Sequence, residues 1–192
     1  MTKLNIAILS YRSAPFGGGQ GVYIHDISKA LSIMGHKVDV ISGPPYPNLS
    51  EEVNLIELPG LNLFQTFSFN ERVKIFWKKE RKNFSDIYEF LSVLLGGFPE
   101  MRTFGYRARD YLNINNHYDI VIDNQSISYA MIDIQKLFPF IEIIHHPITK
   151  DFKYEMDQSN KLLYKFSRRR WYSFLKMQKR VAPKINNIIT PS

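Results

Sequence analysis

The stretch Ser13-Ala14-Pro15-Phe16-Gly17-Gly18-Gly19-Gln20-Gly21-Val22-Tyr23-Ile24-His25 separates two regular patterns. An apolar run, Leu4–Leu9, stops just before it and reads as a buried strand. Just after it, Tyr23, Ile27, Ala30, Leu31 and Met34 recur at three- and four-residue spacing, which predicts the buried stripe of a helix from about Gln20 to Met34. Gly35 follows where a left-handed C′ residue costs glycine least. Between strand and helix, four of the five positions 17–21 are glycine. A bare turn needs one or two. The excess points to a ligand, because without a Cβ the unpaired amides at a helix N-terminus stay open to a phosphate or a sugar.

Outward from this loop, five further β-like runs follow: Lys37–Ser42, Asn54–Leu58, Tyr118–Asp123, Phe140–His145 and Asn187–Thr190. Asp119-Ile120-Val121-Ile122-Asp123 and Ile141-Glu142-Ile143-Ile144 are nearly continuous aliphatic runs, as in parallel strands covered on both faces. Helical patterns lie between most of them. The alternation predicts an α/β fold, a Rossmann-like, doubly wound and mostly parallel sheet. Residues 59–117 break the alternation and are too long for a simple crossover, so they read as a helical insertion, with helices around Asn70–Lys79, Ser85–Leu95 and Pro99–Leu112. Its aromatic residues, Phe64, Phe67, Phe69, Phe76, Trp77, Phe84, Phe90, Phe98 and Phe104, are expected mostly as local core. A late helix, about Asn160 to Val181, ends before Pro183. The closing Ile188-Ile189-Thr190-Pro191-Ser192 delivers a strand to the sheet, and a second domain is expected to follow it.

Composition narrows the chemistry. The 192 residues suit one domain or half of a two-domain enzyme. There is no cysteine, so disulfides, thiolate metal sites and cysteine nucleophiles are excluded. The N-terminus leads straight into a strand, without the apolar core of a signal peptide, and a cytoplasmic location is expected. The net charge of +7 is concentrated between Lys150 and Lys184, around Arg168-Arg169-Arg170-Trp171-Tyr172. That segment is either a solvated helix face or a contact for phosphates, anionic lipid or nucleic acid.

Ligands of open α/β sheets bind outside the carboxyl ends of the strands. The glycine loop sits there, but it is not a dinucleotide fingerprint. Counting from Gly17 and Gly19, the third glycine falls on Val22, and no Gly-Lys-Ser/Thr follows for a P-loop. His145 and His146 leave the fifth run at the same edge, before Pro147. Alternation along a strand puts one of them in the cleft, where an imidazole would bond a sugar hydroxyl or phosphate, or handle a proton; a purely structural role is the bland alternative. Asp123-Asn124-Gln125-Ser126 closes the fourth run, and these residues either contact hydroxyls or cap the next helix. His25, His36 and His117 are scattered and no H-E-x-x-H occurs, so no metal site is expected.

The run Gly17-Gly18-Gly19-Gln20-Gly21-Val22-Tyr23-Ile24, with Lys29-Ala30-Leu31 and Met34-Gly35-His36-Lys37-Val38, resembles the N-terminal domain of family-4 glycosyltransferases of GT-B fold. Ser42-Gly43-Pro44-Pro45-Tyr46-Pro47, Asp123-Asn124-Gln125-Ser126, Ile144-His145-His146-Pro147-Ile148 and the closing segment fit the same pattern, although Thr190-Pro191-Ser192 stands where the family has a Thr-Val-Ser run. The resemblance implies that residues 1–192 are the acceptor-side half of a retaining enzyme that transfers a hexose-type sugar from a nucleotide-sugar to a glycan or lipid-linked acceptor, without a cofactor or bound metal. The donor would be held mainly by a C-terminal domain that this sequence lacks, so the chain alone is expected to be inactive. By the same resemblance, Gly17, Gly18 and Gly19 approach the donor phosphates or the transferred sugar, and His145 is the catalytic candidate near the reacting bond. Gln20, Asp123, Asn124, Gln125, His146 and Arg102 complete the candidate substrate-binding set, Arg102 as a partner for an anionic acceptor or else a solvated helix residue. Lipid-linked acceptors would place the protein peripherally on the inner face of a membrane. The alternative is a non-catalytic module binding anions or nucleic acid. No nucleic-acid motif is present and aromatics do not interleave with the basic residues, so no nucleic-acid partner is expected.

Overall fold

A computed structural model describes residues 2–15 and 19–190. Six parallel strands form one sheet in the order β3-β2-β1-β4-β5-β6. They are β1 (Asn5–Ser10), β2 (Lys37–Ser42), β3 (Asn54–Glu57), β4 (Ile120–Asn124), β5 (Phe140–Ile143) and β6 (Ile188–Ile189). The six strands expected from the sequence are all present, with ends matching or shifted by at most two residues. The chain runs from β1 outward to β3 on one side, then returns to place β4 on the other side of β1. The strand order therefore reverses at β1 and β4, which opens a crevice at their carboxyl ends.

Helix α1 (Gly19–Ile33) covers one face of the sheet, packing on a core of Ile6, Ile8, Val38, Val40, Ile122 and Ile143. Its stripe is rotated from the expected one. Gly21, Ile24 and Ser28 are fully enclosed, Tyr23, Ile27 and Leu31 flank them, and Ala30 and Met34 are exposed. The reason is proximity. A Cβ at Gly21 would collide with the carbonyl oxygen of Ala14 in the preceding loop, so the enclosed face includes small residues, Gly21 and Ser28, that a purely apolar period overlooks. Gly35 ends the helix at φ +92°, with Gly35 N–H bonded to Ser32 and His36 N–H to Leu31, the paired bonds of a Schellman cap.

The insertion folds as α2 (Phe69–Lys78), α3 (Phe84–Leu94) and α4 (Glu100–Ile114). Helix α4 joins α5 (Tyr129–Leu137) and α8 (Leu175–Val181) over the second face of the sheet, around Leu9, Met101, Phe104, Val121 and Met131. Phe76, Phe90, Phe64, Phe98 and Phe104 pack inward as expected, but Phe67, Phe69, Trp77 and Phe84 are left exposed. Helix α6 (Ile148–Asp157) was not legible in the apolar pattern, since none of its residues is buried. The expected late helix is broken. Helix α7 (Leu162–Trp171) gives way to a tight turn at Tyr172–Phe174 before α8 begins.

Candidate active site

The crevice at the β1/β4 reversal is an open cleft of about 480 Å³. Tyr11 and Arg12 enter it from the end of β1, Gly19, Gln20 and Tyr23 from the start of α1, Gln125 from the end of β4, and His145 and His146 from beyond β5. Gly19 and both histidines thus line one space, where the sequence implied the glycine loop and one of the two. Gly17 and Gly18 lie outside the described residues. At Gly19 an added Cβ would meet nothing within 4 Å, so the start of α1 faces open volume. Helix N-terminal amides without a side chain over them form an electropositive, anion-accepting edge.

Strand β5 ends at Ile143, so the two histidines follow it in irregular backbone and strand alternation does not apply to them. Both line the cleft rather than one. His145 is held on three sides. Its backbone N–H donates to Gln125 Oε1 at 3.1 Å, its Nε2 lies 2.6 Å from Asn124 Oδ1, and the Tyr23 ring meets it edge-on at 4.5 Å. With an amide oxygen as the partner, Nε2 carries the proton and Nδ1 keeps its lone pair. Partial burial, with help from neighbouring His146, lowers the His145 pKa, which favours the neutral ring. A neutral imidazole with a free Nδ1 accepts a hydrogen bond from a hydroxyl. His146 is more exposed and bonds Asp151 on the first turn of α6 at 2.9 Å.

The Asp123–Ser126 segment divides its work. Asp123 is fully buried and does not reach the cleft; its carboxylate accepts the Ser126 N–H and O–H at 2.8 Å and the Ile127 N–H at 3.3 Å. This pins a turn in which Gln125 and Ile127 both have positive φ, 61° and 44°. Such left-handed geometry costs non-glycine residues about 1–2 kcal/mol each. What it secures is Gln125, whose side chain takes the His145 N–H and donates to the His146 carbonyl at 3.1 Å. Asn124, also buried, supplies the oxygen facing His145 Nε2. Capping and ligand contact were the two readings open for this segment. The structure gives Asp123 and Ser126 to the turn, Asn124 to His145, and Gln125 to the cleft wall.

Two acids that the motif search passed over support this arrangement. Glu142 lies beside Asp123 across the β4–β5 pairing, fully buried. Burial and the adjacent Asp123 charge push its pKa well up, favouring the protonated acid. The legible signal was an acid inside the aliphatic run 140–144. Glu100, at the start of α4, pairs with Arg12 at 3.0 Å, and burial raises its pKa to about 7 against the opposing pull of Arg12. Arg12 is the cation of the cleft wall, and its position directly after β1 was the clue.

Arg102 stands apart from this cleft. Its guanidinium lies 4.8 Å from the Tyr88 ring centre, with Tyr106 and Tyr129 at 5.8 and 5.7 Å, in a separate pocket beside Pro99 and Met177. Arg107 is spent internally on Asp86 and Glu89 at 2.9 and 2.6 Å.

Comparison with known proteins agrees with this geometry. The family model Glycosyltransferase Family 4 matches residues 17–192. The MMP alpha-(1->4)-mannosyltransferase of Mycolicibacterium hassiacum is 40% identical over 98% of this chain and 46% of its own. Among solved structures, CalG4, the calicheamicin glycosyltransferase, superposes with a TM-score of 0.50 at 14% identity, covering 99% of this chain and 48% of that one. The chain therefore spans about half the length of these proteins, and its sheet corresponds to one half of a GT-B fold. On the family match and the mannosyltransferase relative together, the chain belongs to the family-4 glycosyltransferases.

Proposed function

We propose that this domain is the acceptor-side half of a retaining glycosyltransferase that uses a nucleotide-sugar and works with a second α/β domain holding the nucleotide. The observation that carries the reading is the shared cleft of Gly19 and His145 at the strand-order reversal. In the reaction, a hydroxyl of a glycan or lipid-linked acceptor bonds to the anomeric carbon on the face that the diphosphate leaves. The sugar–phosphate C–O bond breaks with its electron pair on the diphosphate, and the acceptor proton passes to that departing oxygen. The amides at the start of α1 and the Arg12 guanidinium would offset the negative charge that grows there. His145, through Nδ1, would hold a hydroxyl of the transferred sugar and fix its orientation. The name of the mycobacterial relative makes mannose the first hexose to test. A lipid-linked acceptor would bring the protein to the inner face of a membrane.

The test is a transfer assay on the two-domain protein with a panel of nucleotide-sugars and glycan and lipid-linked acceptors, read by mass spectrometry. Transfer with retained anomeric configuration is expected from the whole protein and none from residues 1–192 alone. Absence of both transfer and donor hydrolysis across the panel, with the protein folded, would overturn the reading in favour of an anion-binding module.

A further inference from the structure

Helices α2 and α3 form a hairpin whose inner face is closed and whose outer face is bare. Phe76 stacks on Phe90 with ring centres 4.2 Å apart, inside a small core with Leu61, Leu63 and Val93. On the outside, Phe84 is 78%, Ile87 43%, Leu91 53% and Leu95 65% exposed. Their spacing of three, four and four residues makes one continuous stripe along α3, and Trp77 near the end of α2 is also exposed, at 70%. Single exposed apolar side chains are ordinary; a contiguous aromatic and aliphatic stripe marks an interaction surface.

The charges around the stripe say what covers it. Lys82 Nζ lies 5.4 Å from the Trp77 ring at one end, and Arg170 Nε donates to the Leu95 carbonyl at 3.1 Å at the other. The second contact joins the stripe to the basic end of α7, Arg168-Arg169-Arg170. Residues 70–82 carry six cations; Lys79 pairs inward with the buried Asp86 at 2.7 Å, which leaves Arg72, Lys74, Lys78, Arg81 and Lys82 against Glu71 and Glu80. A second copy of the same face would set these cations against one another. A bilayer with anionic headgroups satisfies both features at once, taking the aromatic stripe at the headgroup boundary and the cations at its charged surface. Among the described residues no helix is long and apolar enough to cross a membrane.

We propose that the outer face of α2–α3, continued by the basic end of α7, is a docking surface for an anionic lipid bilayer, on which the hairpin lies flat. The proposal rests on the composition of this face and is independent of the sugar-transfer reading.

The experiment is co-sedimentation of the full-length protein with phosphatidylcholine vesicles and with phosphatidylcholine–phosphatidylglycerol vesicles, at low and high salt. Binding to the mixed vesicles that weakens with salt is expected. The exposed double variant Phe84→Ser/Leu91→Ser should lose partitioning by roughly 10- to 100-fold, with its circular dichroism unchanged. A second variant, Lys74→Glu/Lys78→Glu, should lose binding to the anionic vesicles without loss of fold. No binding at low salt, equal binding to the neutral vesicles, or a double variant that binds like the parent would overturn the proposal. So would a concentration-dependent dimer that Phe84→Ser/Leu91→Ser abolishes, or binding by residues 1–192 that the full-length protein lacks, since each would assign the stripe to another occupant.

Discussion

Asp123 and Glu142 stand opposite each other on neighbouring parallel strands, both wholly buried, and burial pushes the pKa of each carboxyl up. Asp123 gathers the amides of Ser126 and Ile127, and the turn they form sets Gln125 against His145. The pair thus transmits order from the middle of the sheet to the cleft. Neither Glu142 carboxyl oxygen has a hydrogen-bond partner among the described residues, so Glu142→Gln removes a buried acid without breaking a bond and should cost no more than about 1 kcal/mol. Asp123→Ala leaves two turn amides and a hydroxyl unpaired in the interior and should cost about 3 kcal/mol or more. Urea denaturation of the two variants checks both values.

The Arg12–Glu100 pair makes stability depend on pH. Burial raises the folded-state pKa of Glu100 from its ordinary 4.5 to about 7, so across that window the folded protein binds more protons than the unfolded chain. Its contribution is fully present below the lower value and is lost as pH rises through the upper one. The loss is on the order of 3 kcal/mol once the group is ionised. Glu100→Gln should flatten this part of the profile. Comparing the variant with the parent by urea denaturation at about pH 5 and about pH 8 isolates the effect, because Glu142 titrates in both proteins.

His145 should matter to turnover and little to folding. It is half-buried and its contacts, Asn124, Gln125 and Tyr23, frame the cleft. Losing one well-placed acceptor toward a sugar hydroxyl corresponds to roughly 10- to 100-fold in kcat/KM. Asn124→Ala frees the ring and should show a smaller loss of the same kind. Steady-state kinetics of sugar transfer by the two-domain protein, alongside thermal unfolding, distinguishes this from a stability effect.

Two glycines in the first turn of α1 should respond oppositely. A methyl at Gly21 strikes the Ala14 carbonyl, a backbone atom that cannot swing aside, so Gly21→Ala should destabilise the protein by about 1–3 kcal/mol. A methyl at Gly19 meets nothing, and Gly19→Ala should leave stability unchanged or slightly raised while weakening nucleotide-sugar binding. Calorimetric binding set beside thermal melts reads the two effects separately.

Local pattern alone determined a good deal here. Continuous aliphatic runs announced six parallel strands because a strand covered on both faces has no polar side to show. The glycine excess pointed to a helix start left open, and Gly19 does face open volume at the cleft. The histidine pair was placed at the correct edge for the same reason that every β-to-α loop of such a sheet shares one end. The tertiary structure decided which side chains meet. It brought Arg12 and His146 into the cleft, sent Arg102 to a tyrosine pocket of its own, and set Glu142 against Asp123 from positions that are 19 residues apart in the chain. It also turned α1 so that Gly21, Ile24 and Ser28 are enclosed while Ala30 and Met34 are left exposed. These outcomes depend on strand register and on how closely helices approach the sheet, and both are set by non-local packing that no window of neighbouring residues encodes.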